Sequence, residues 1–181
     1  DPYFVMYKAL IQFLGATPVI VNTYPDFRIT RERLAAAVTE RTKLIILNSP
    51  NNPGGFTYTP DELAGLAKAL EGTNVMVMSD EIYEKLIYGD TKFVRFAALS
   101  ADAYNRTLTV NGLSKAFSMT GWRLGFTAGP LDAIKAMGRL QSHMTSNPVT
   151  FAQYAAIAAY GPEADDAIET MRVEFEKRGK Y

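Results

Sequence analysis

The chain alternates short apolar segments with segments whose apolar residues recur at helical spacing, and this alternation limits its possible folds more than any other feature. KLIILN at 43–48, NVMVMSD at 74–80 and TLTV at 107–110 have the length and apolar content of buried strands. TPDELAGLAKALEG at 59–72 has the spacing of a helix, with a proline near its first turn. Strands that alternate with helices pair in parallel, because each helix returns the chain to the same end of the sheet. The sequence therefore predicts one α/β domain with a mainly parallel sheet.

The remaining segments continue this pattern along the chain. Helices are predicted at 3–15, ending at Gly15, at 30–39, with Thr30 as the N-cap, and over most of the chain after Pro130, and further strands at 17–23 and 123–129. The last helical segment begins acidic and ends basic, which matches the helix dipole. No repeat, low-complexity tract or Ser/Gly-rich linker interrupts the chain, so we expect no internal domain boundary.

Composition excludes several classes of protein. The chain has 181 residues, of which 48% are hydrophobic and 21% charged, and these values predict a globular unit with a sizeable core rather than a disordered chain. Its 19 basic and 19 acidic residues balance, so neither a nucleic acid nor an anionic membrane surface is an expected partner. No apolar run approaches the roughly 20 residues of a membrane helix. The acidic start DPYF does not resemble an export signal, and we expect a cytoplasmic protein.

The absence of cysteine excludes thiol chemistry. The chain contains no cysteine, which removes disulfides, zinc-thiolate sites and thiol nucleophiles. Its one histidine, His143, cannot form a histidine cluster and has no evident acidic or nucleophilic neighbour in the sequence. We expect His143 at a helix end or an interface, and we expect no metal site.

Polar residues follow three of the predicted strands. The first runs into the turn-rich loop SPNNPGG with Asn51 and Asn52, the second into Asp80 and Tyr83, and the third toward Lys115. Taken singly, the asparagines fit an ordinary turn, the aspartate a helix cap and the tyrosine half-buried packing. Together they offer an amide, a carboxylate, a phenol and an amine at one edge of the sheet. Pyridoxal phosphate needs such a set, because its aldehyde takes a lysine and its ring nitrogen a carboxylate.

The segment GLSKAFSMTGWRLG at 112–125 resembles the lysine signature of the class I aminotransferases, which belong to the fold-type I pyridoxal phosphate family. The resemblance extends to NSPNNPGG at 48–55, SDEIYE at 79–84 and SNP at 146–148, in the order and at the spacing of that family. It is strongest to the prokaryotic aspartate and aromatic aminotransferase subgroup. It implies a three-layer fold, with a mainly parallel sheet and helices on both faces, and a reaction that moves an amino group between an α-amino acid and a 2-oxo acid.

The resemblance assigns seven residues to a pyridoxal phosphate site: Phe4, Asn52, Asp80, Tyr83, Ser114, Lys115 and Arg123. It implies that Lys115 forms the Schiff base with the cofactor and then moves the proton at the substrate α-carbon. Asp80 would keep the pyridine nitrogen protonated, so that the ring acts as an electron sink. Tyr83 and Asn52 would bond the 3-oxygen of the ring and favour its deprotonated form.

The other three residues would position the cofactor. Arg123 would bind the phosphate with its planar guanidinium, which suits that group better than an ammonium does, and Ser114 could add a hydroxyl donor. Phe4 lies where many relatives stack a tryptophan on the cofactor ring.

The chain also departs from the family in ways that bear on function. Gly54 stands where the family usually has threonine, and we expect this to leave the turn less constrained. Ser142 stands where dicarboxylate-specific relatives of the animal type have an arginine, so that route to aspartate specificity is closed and we expect some tolerance for neutral or aromatic amino donors.

Family members are roughly twice as long and have a second, smaller domain. The resemblance therefore implies that residues 1–181 are the central part of the cofactor-binding large domain, without its N-terminal part and without the C-terminal small domain. The substrate-carboxylate arginine and one phosphate loop would lie outside these residues, which we expect to be inactive alone. MTSNP at 144–148 resembles the segment that meets the partner subunit, which implies a homodimer.

Two other functions remain open at this point. The same scaffold catalyses β-elimination and C–S cleavage with the same lysine, aspartate and tyrosine, although the NNP and TGWRLG segments favour transamination. Aminotransferase-like domains also serve as ligand sensors fused to DNA-binding domains in bacterial regulators.

Overall fold

Four strands, β1 (Leu44–Asn48), β2 (Met76–Asp80), β3 (Thr107–Gly112) and β4 (Gly125–Ala128), form one sheet in that order in the computed structural model, which describes residues 1–181. The helices are α1 (Met6–Phe13), α2 (Arg31–Ala37), α3 (Pro60–Leu70), α4 (Ala101–Arg106), α5 (Leu131–Met144), α6 (Thr150–Ala159) and α7 (Asp165–Gly179). β1, β2 and β3 are parallel, and β4 is antiparallel to β3. The predicted mainly parallel α/β sheet is confirmed.

The starts of helices α2 and α3 follow from their capping residues. Thr30 accepts a hydrogen bond from the backbone N–H of Arg33 at 3.2 Å and caps α2, as predicted. At α3 the Thr59 hydroxyl and the Glu62 carboxylate each accept from the other's backbone N–H, and Pro60 begins the helix. These caps satisfy N–H groups that have no partner inside the helix.

One face of the sheet carries the larger of two apolar clusters. Alternate residues of the strands, among them Leu47 and Val77, point to this face and pack against α2, α3 and α4. The buried members of the cluster are Leu34, Leu47, Tyr58, Leu63, Leu66, Ala67, Leu70, Val75, Val77, Phe96 and Ala103. A smaller cluster, Leu113, Ala116, Phe117 and Ile168, lies beyond the end of β3 and packs against α6 and α7.

The opposite face of the sheet is covered less completely. Ile46, Met78 and Val110 on this face are only half-buried. Helix α1 contacts it, since the hydroxyl of Tyr7 donates to Asp80 at the end of β2, yet α1 itself has no fully buried residue. Helices therefore contact both faces of the sheet. Most of the buried apolar residues lie on the face covered by α2, α3 and α4. None of the helices is both long enough and apolar enough to span a membrane.

The strand predicted at 17–23 is wrong. The segment belongs to no strand or helix; Thr23 N donates to the Asp1 carbonyl at 3.2 Å, and the Thr23 carbonyl accepts from Phe27 N at 2.8 Å. Its β-branched residues have the composition of a strand, but no neighbouring strand pairs with their backbone groups. Val19 and Ile20 are exposed as a result.

Candidate active site

The carboxyl ends of β1, β2 and β3 lie side by side. Asn48 is in register with Asp80, and Asp80 with Val110, so the chain leaves the three strands at one edge of the sheet. In parallel sheets ligands bind in the crevice outside this edge. The loops that follow carry the residues predicted to form the site.

Asn48 organises the first of these loops. Its side-chain amide donates to the Asp80 carbonyl at 3.1 Å, and its side-chain oxygen accepts from the backbone N–H of Asn52 at 2.7 Å. The side-chain amide of Asn52 then donates to the Tyr83 hydroxyl at 3.1 Å. Two of the predicted residues are thus in direct contact. Sequence reasoning assigned no role to Asn48, although it is both the last residue of a strand and the first residue of the NSPNNPGG motif.

The turn after Asn52 is more tightly packed than expected. A Cβ atom added to Gly54 would lie 2.7 Å from the Asn51 side-chain oxygen and 2.7 Å from the Phe56 ring. The same Asn51 oxygen accepts from the Gly54 N–H at 2.8 Å. The expectation that this glycine leaves the turn less constrained is therefore wrong, because the turn closes on the space that a side chain would need.

Asp80 is half-buried and accepts two hydrogen bonds. One comes from the Tyr7 hydroxyl and one from the backbone N–H of Ile82, at 3.3 Å. No helix follows, so the aspartate is not a helix cap. Burial and, after it, the bond to Asp80 raise the pKa of Tyr7, which therefore keeps its proton and acts as a donor. Sequence reasoning missed Tyr7, because its spacing assigned it only to the apolar side of a helix.

Phe4 reaches this group through Tyr7. The two rings meet edge to face with centroids 5.6 Å apart. Tyr7 thus contacts both the residue predicted to stack on the cofactor ring and the carboxylate predicted to hold the ring nitrogen. The N-terminal segment and the end of β2 are held together at this point.

Lys115 lies on the loop between β3 and β4. Its Nζ atom is 5.8 Å from the centroid of the Tyr83 ring, and the amine makes no hydrogen bond or ion pair within the chain. The side chain is exposed, while Ala116 and Phe117 beside it are buried. The loop is therefore fixed in the core, and the amine beside it lies over the Tyr83 ring and is free of hydrogen bonds and ion pairs.

Backbone contacts close the same loop at its base. Leu113 N donates to the Leu124 carbonyl at 3.1 Å, and Met119 N to the Leu113 carbonyl at 3.2 Å. A Cβ atom on Gly112 would lie 2.8 Å from both Gly125 Cα and the Leu124 carbonyl oxygen. Only glycine allows β3 and β4 to approach this closely where the loop begins.

Arg123 and Ser114 belong to this loop, but their side chains make no hydrogen bond to the other predicted residues. Arg123 is exposed, has a left-handed backbone with φ of 52°, and donates from Nη1 to the Thr120 carbonyl at 2.8 Å. Ser114 is half-buried, and its hydroxyl makes no hydrogen bond within the chain. Their assignment to a phosphate stays a prediction.

The chemistry of these groups fits the cofactor that the resemblance implies. The Lys115 amine lies beside the Tyr83 phenol, which is bonded to the Asn52 amide. Asn48 in turn bonds both the loop of Asn52 and the backbone of Asp80. A guanidinium follows on the loop that carries the amine. An aldehyde, a ring oxygen, a ring nitrogen and a phosphate would each find a group of matching charge or hydrogen-bonding type.

Comparison with known proteins identifies relatives over the whole chain. Residues 1–181 match the family described as aminotransferase class I and II. The chain is 50% identical over 180 residues to an aspartate aminotransferase of Geobacillus stearothermophilus, and the match covers 98% of this chain and 45% of that protein. It is 46% identical over 181 residues to an aspartate/prephenate aminotransferase of Cereibacter sphaeroides, with the same two coverages.

Solved structures of aminotransferases are also similar to this chain. The aromatic aminotransferase from Pyrococcus horikoshii OT3 has a TM-score of 0.94 and 41% identity, over 99% of this chain and 49% of that one. The aspartate aminotransferase from Rhizobium meliloti has a TM-score of 0.92 and 39% identity, over 98% of this chain and 45% of that one. The chain spans less than half the length of the relatives it matches.

Proposed function

Because the chain belongs to the class I and II aminotransferases, we propose that the full-length protein is a pyridoxal phosphate-dependent transaminase of the aspartate/aromatic type. It would move an amino group between an α-amino acid and a 2-oxo acid. The observation that most supports this is the free amine of Lys115, 5.8 Å from the ring of a tyrosine that is itself bonded to Asn52. These three side chains come from three separate loops at one edge of the sheet.

Bound pyridoxal phosphate would supply an electron sink for negative charge at the substrate α-carbon. Lys115 would hold the cofactor and then take the proton from the α-carbon and return it. Its exposed side chain and unpaired amine suit both tasks. Asp80 would hold a proton on the ring nitrogen, and the bonds from Tyr7 and Ile82 would fix the direction of its carboxylate.

The remaining residues would orient the cofactor. Asn52 already bonds the Tyr83 hydroxyl, so the two would present donors to the ring oxygen in a fixed geometry. Arg123 and Ser114 would bind the phosphate, and Phe4 would pack against the ring. Such positioning contributes on the order of several kcal/mol to reactions of this kind.

We further propose that residues 1–181 form the central part of the large domain and that the full-length protein is a homodimer. The N-terminal part of that domain and the small domain would lie in the rest of the protein. Several apolar side chains of α5 and α6 are exposed in this chain, among them Leu140, Phe151 and Ile157. These helices flank the segment that resembles the subunit contact.

Substrate choice would not depend on a cation at position 142. The Ser142 hydroxyl donates to the Arg139 carbonyl within α5 at 2.8 Å, and a neutral hydroxyl cannot form a charge-assisted pair with a side-chain carboxylate. The proposed substrates are therefore an α-amino acid, with tolerance for neutral or aromatic side chains, and a 2-oxo acid such as 2-oxoglutarate.

A panel of amino donors tests this proposal on the full-length protein. Turnover with 2-oxoglutarate is measured as kcat/KM for aspartate, phenylalanine, tyrosine and alanine, with and without added pyridoxal phosphate. We expect cofactor-dependent transfer with aspartate and with at least one aromatic donor. A preference for aspartate above about a thousandfold, or roughly 4 kcal/mol, would contradict the predicted tolerance. No transfer from any donor would contradict the proposed reaction.

A further inference from the structure

Two buried carboxylates lie on the segment that carries Asp80 and Tyr83. Glu81 and Glu84 have side chains that are 1% and 5% exposed. A single nitrogen, Nη1 of Arg95, contacts both, with Glu81 Oε2 at 3.2 Å and Glu84 Oε2 as its second partner. We call Glu81, Glu84 and Arg95 the glutamate clamp. No residue of the clamp belongs to the proposed cofactor site.

The clamp and the proposed site share one short stretch of backbone. Asp80 and Tyr83 contact Tyr7 and Asn52 on the site side. Glu81 and Glu84 alternate with them and contact Arg95 on the other side. Glu84 N donates to the Glu81 carbonyl at 2.9 Å, which closes the turn between the two glutamates. Tyr83 lies within this turn, so its backbone position depends on the same contact.

Arg95 is the cation that offsets the electrostatic cost of burying these two glutamates. Glu81 accepts from the Ser79 hydroxyl at 2.9 Å, and the phenol of Tyr160, whose pKa is raised by burial and then by the charge of Glu84, is a further ionisable group near the clamp. Burial raises the pKa of Glu81 despite its bonds to Ser79 and Arg95, so its charged form is held only weakly. Without the arginine, two buried carboxylates would face each other with no cation, and one would take up a proton or move toward water.

We infer that Arg95 is a positioning residue of the active site: it fixes Glu81 and Glu84 and thereby holds Asp80 and Tyr83 in the geometry that binds the cofactor. The inference rests on the proposed function, because it assigns a consequence for cofactor binding. It adds a residue that contacts neither cofactor nor substrate and lies 11 to 14 positions along the chain from its partners. The half-exposed side chain of Arg95 can be replaced without opening a large cavity.

The experiment compares full-length variants that change the charge balance of the clamp stepwise. Arg95→Met leaves two uncompensated carboxylates, Arg95→Met with Glu84→Gln leaves one, and Arg95→Lys keeps the cation. Lys92→Met is the matched control, because Lys92 is an exposed cation of the same segment with no ion pair. Two readouts are taken besides activity: the dissociation constant of pyridoxal phosphate, and the pH midpoint at which the absorbance of the bound cofactor changes.

We expect Arg95→Met to weaken cofactor binding by about tenfold and to raise the pH midpoint, since a displaced Tyr83 stabilises the deprotonated ring oxygen less well. Adding Glu84→Gln should restore most of both values, because it removes one of the two repelling charges. Arg95→Lys and Lys92→Met should stay within about threefold of the wild type. If Arg95→Met does not fold, Arg95→Gln takes its place as the variant without a cation, and the same loss, with the same recovery on adding Glu84→Gln, is expected.

Two results would overturn the inference while the proposed function stands. In one, Arg95→Met lowers the free energy of unfolding but leaves the dissociation constant and the pH midpoint unchanged, which would make the clamp purely structural. In the other, Glu84→Gln gives no recovery in the double variant. A wild-type protein that does not bind pyridoxal phosphate would instead contradict the proposed function and, with it, this inference.

Discussion

At the scale of single residues, Asp80 has the most sharply defined surroundings in the proposed site. Its carboxylate accepts from Tyr7 and from a backbone N–H, and its carbonyl accepts from the Asn48 amide and from Ser49 N at 3.1 Å. These hydrogen bonds fix the position of Asp80, and a neutral side chain of the same shape can still form hydrogen bonds there. One substitution can therefore remove the negative charge of Asp80 while its position in the fold is kept.

Asp80→Asn should lower kcat by roughly a hundredfold with little change in fold, because its oxygen can still accept from the Ile82 N–H and its amino group can donate to the Tyr7 hydroxyl oxygen, whereas a neutral amide cannot stabilise a protonated ring nitrogen. The measurement is steady-state turnover of the full-length protein, with far-ultraviolet circular dichroism as a check on folding. Asp90→Asn, at an exposed aspartate, is the control. Near-normal turnover of the Asp80 variant would remove this residue from the proposed site.

At the scale of elements, the glycine at the end of β3 decides whether the lysine loop can close. Gly112→Ala would place a Cβ atom 2.8 Å from two backbone atoms of the neighbouring segment, which cannot move without separating β3 from β4. We expect a loss of about 2 kcal/mol in the free energy of unfolding. Urea unfolding of the full-length protein measures it, and Gly121→Ala, where nothing lies within 4 Å of an added Cβ, is the control. Equal stability of the two variants would contradict this account of the loop.

The sequence predicted those elements whose signals are local. The strands, the Thr30 cap and the Pro60 start of α3 are confirmed, since apolar spacing and capping chemistry act within a few residues. The segment at 17–23 was predicted wrongly, because a strand also needs a partner and strand composition does not supply one. Pairing across the sheet is the part that local patterns cannot determine.

The same limit applies to the site. Motif order predicted that Asn52, Tyr83 and Lys115 would meet, and the structure brings the three together. Tyr7 contacts a residue 73 positions away in the sequence, and Arg95 contacts residues 11 and 14 positions away. Neither spacing nor residue type predicted these contacts. Such contacts depend on how the elements dock, which the structure describes and the sequence pattern does not.

At the scale of the whole molecule, the chain covers 45% of its Geobacillus stearothermophilus relative and buries one face of its sheet more fully than the other. The lysine on which the proposed chemistry depends nevertheless lies inside this part, on a loop anchored in a core cluster. The central claim, that Lys115 holds the cofactor, can therefore be tested at one residue. Lys85 serves as the comparison, because its amine also lies over a ring of the same loop, that of Phe117, but is paired with Asp165 at 3.6 Å, whereas the amine of Lys115 has no ion pair.

Borohydride reduction followed by peptide mapping tests this claim most directly. The full-length protein is incubated with pyridoxal phosphate, reduced, digested and analysed by mass spectrometry, in parallel with Lys115→Ala and Lys85→Ala. We predict one phosphopyridoxyl group on Lys115 in the wild type and in the Lys85 variant, and none in the Lys115 variant. A group on Lys85 or on any other lysine, or an unchanged yield in Lys115→Ala, would contradict the account.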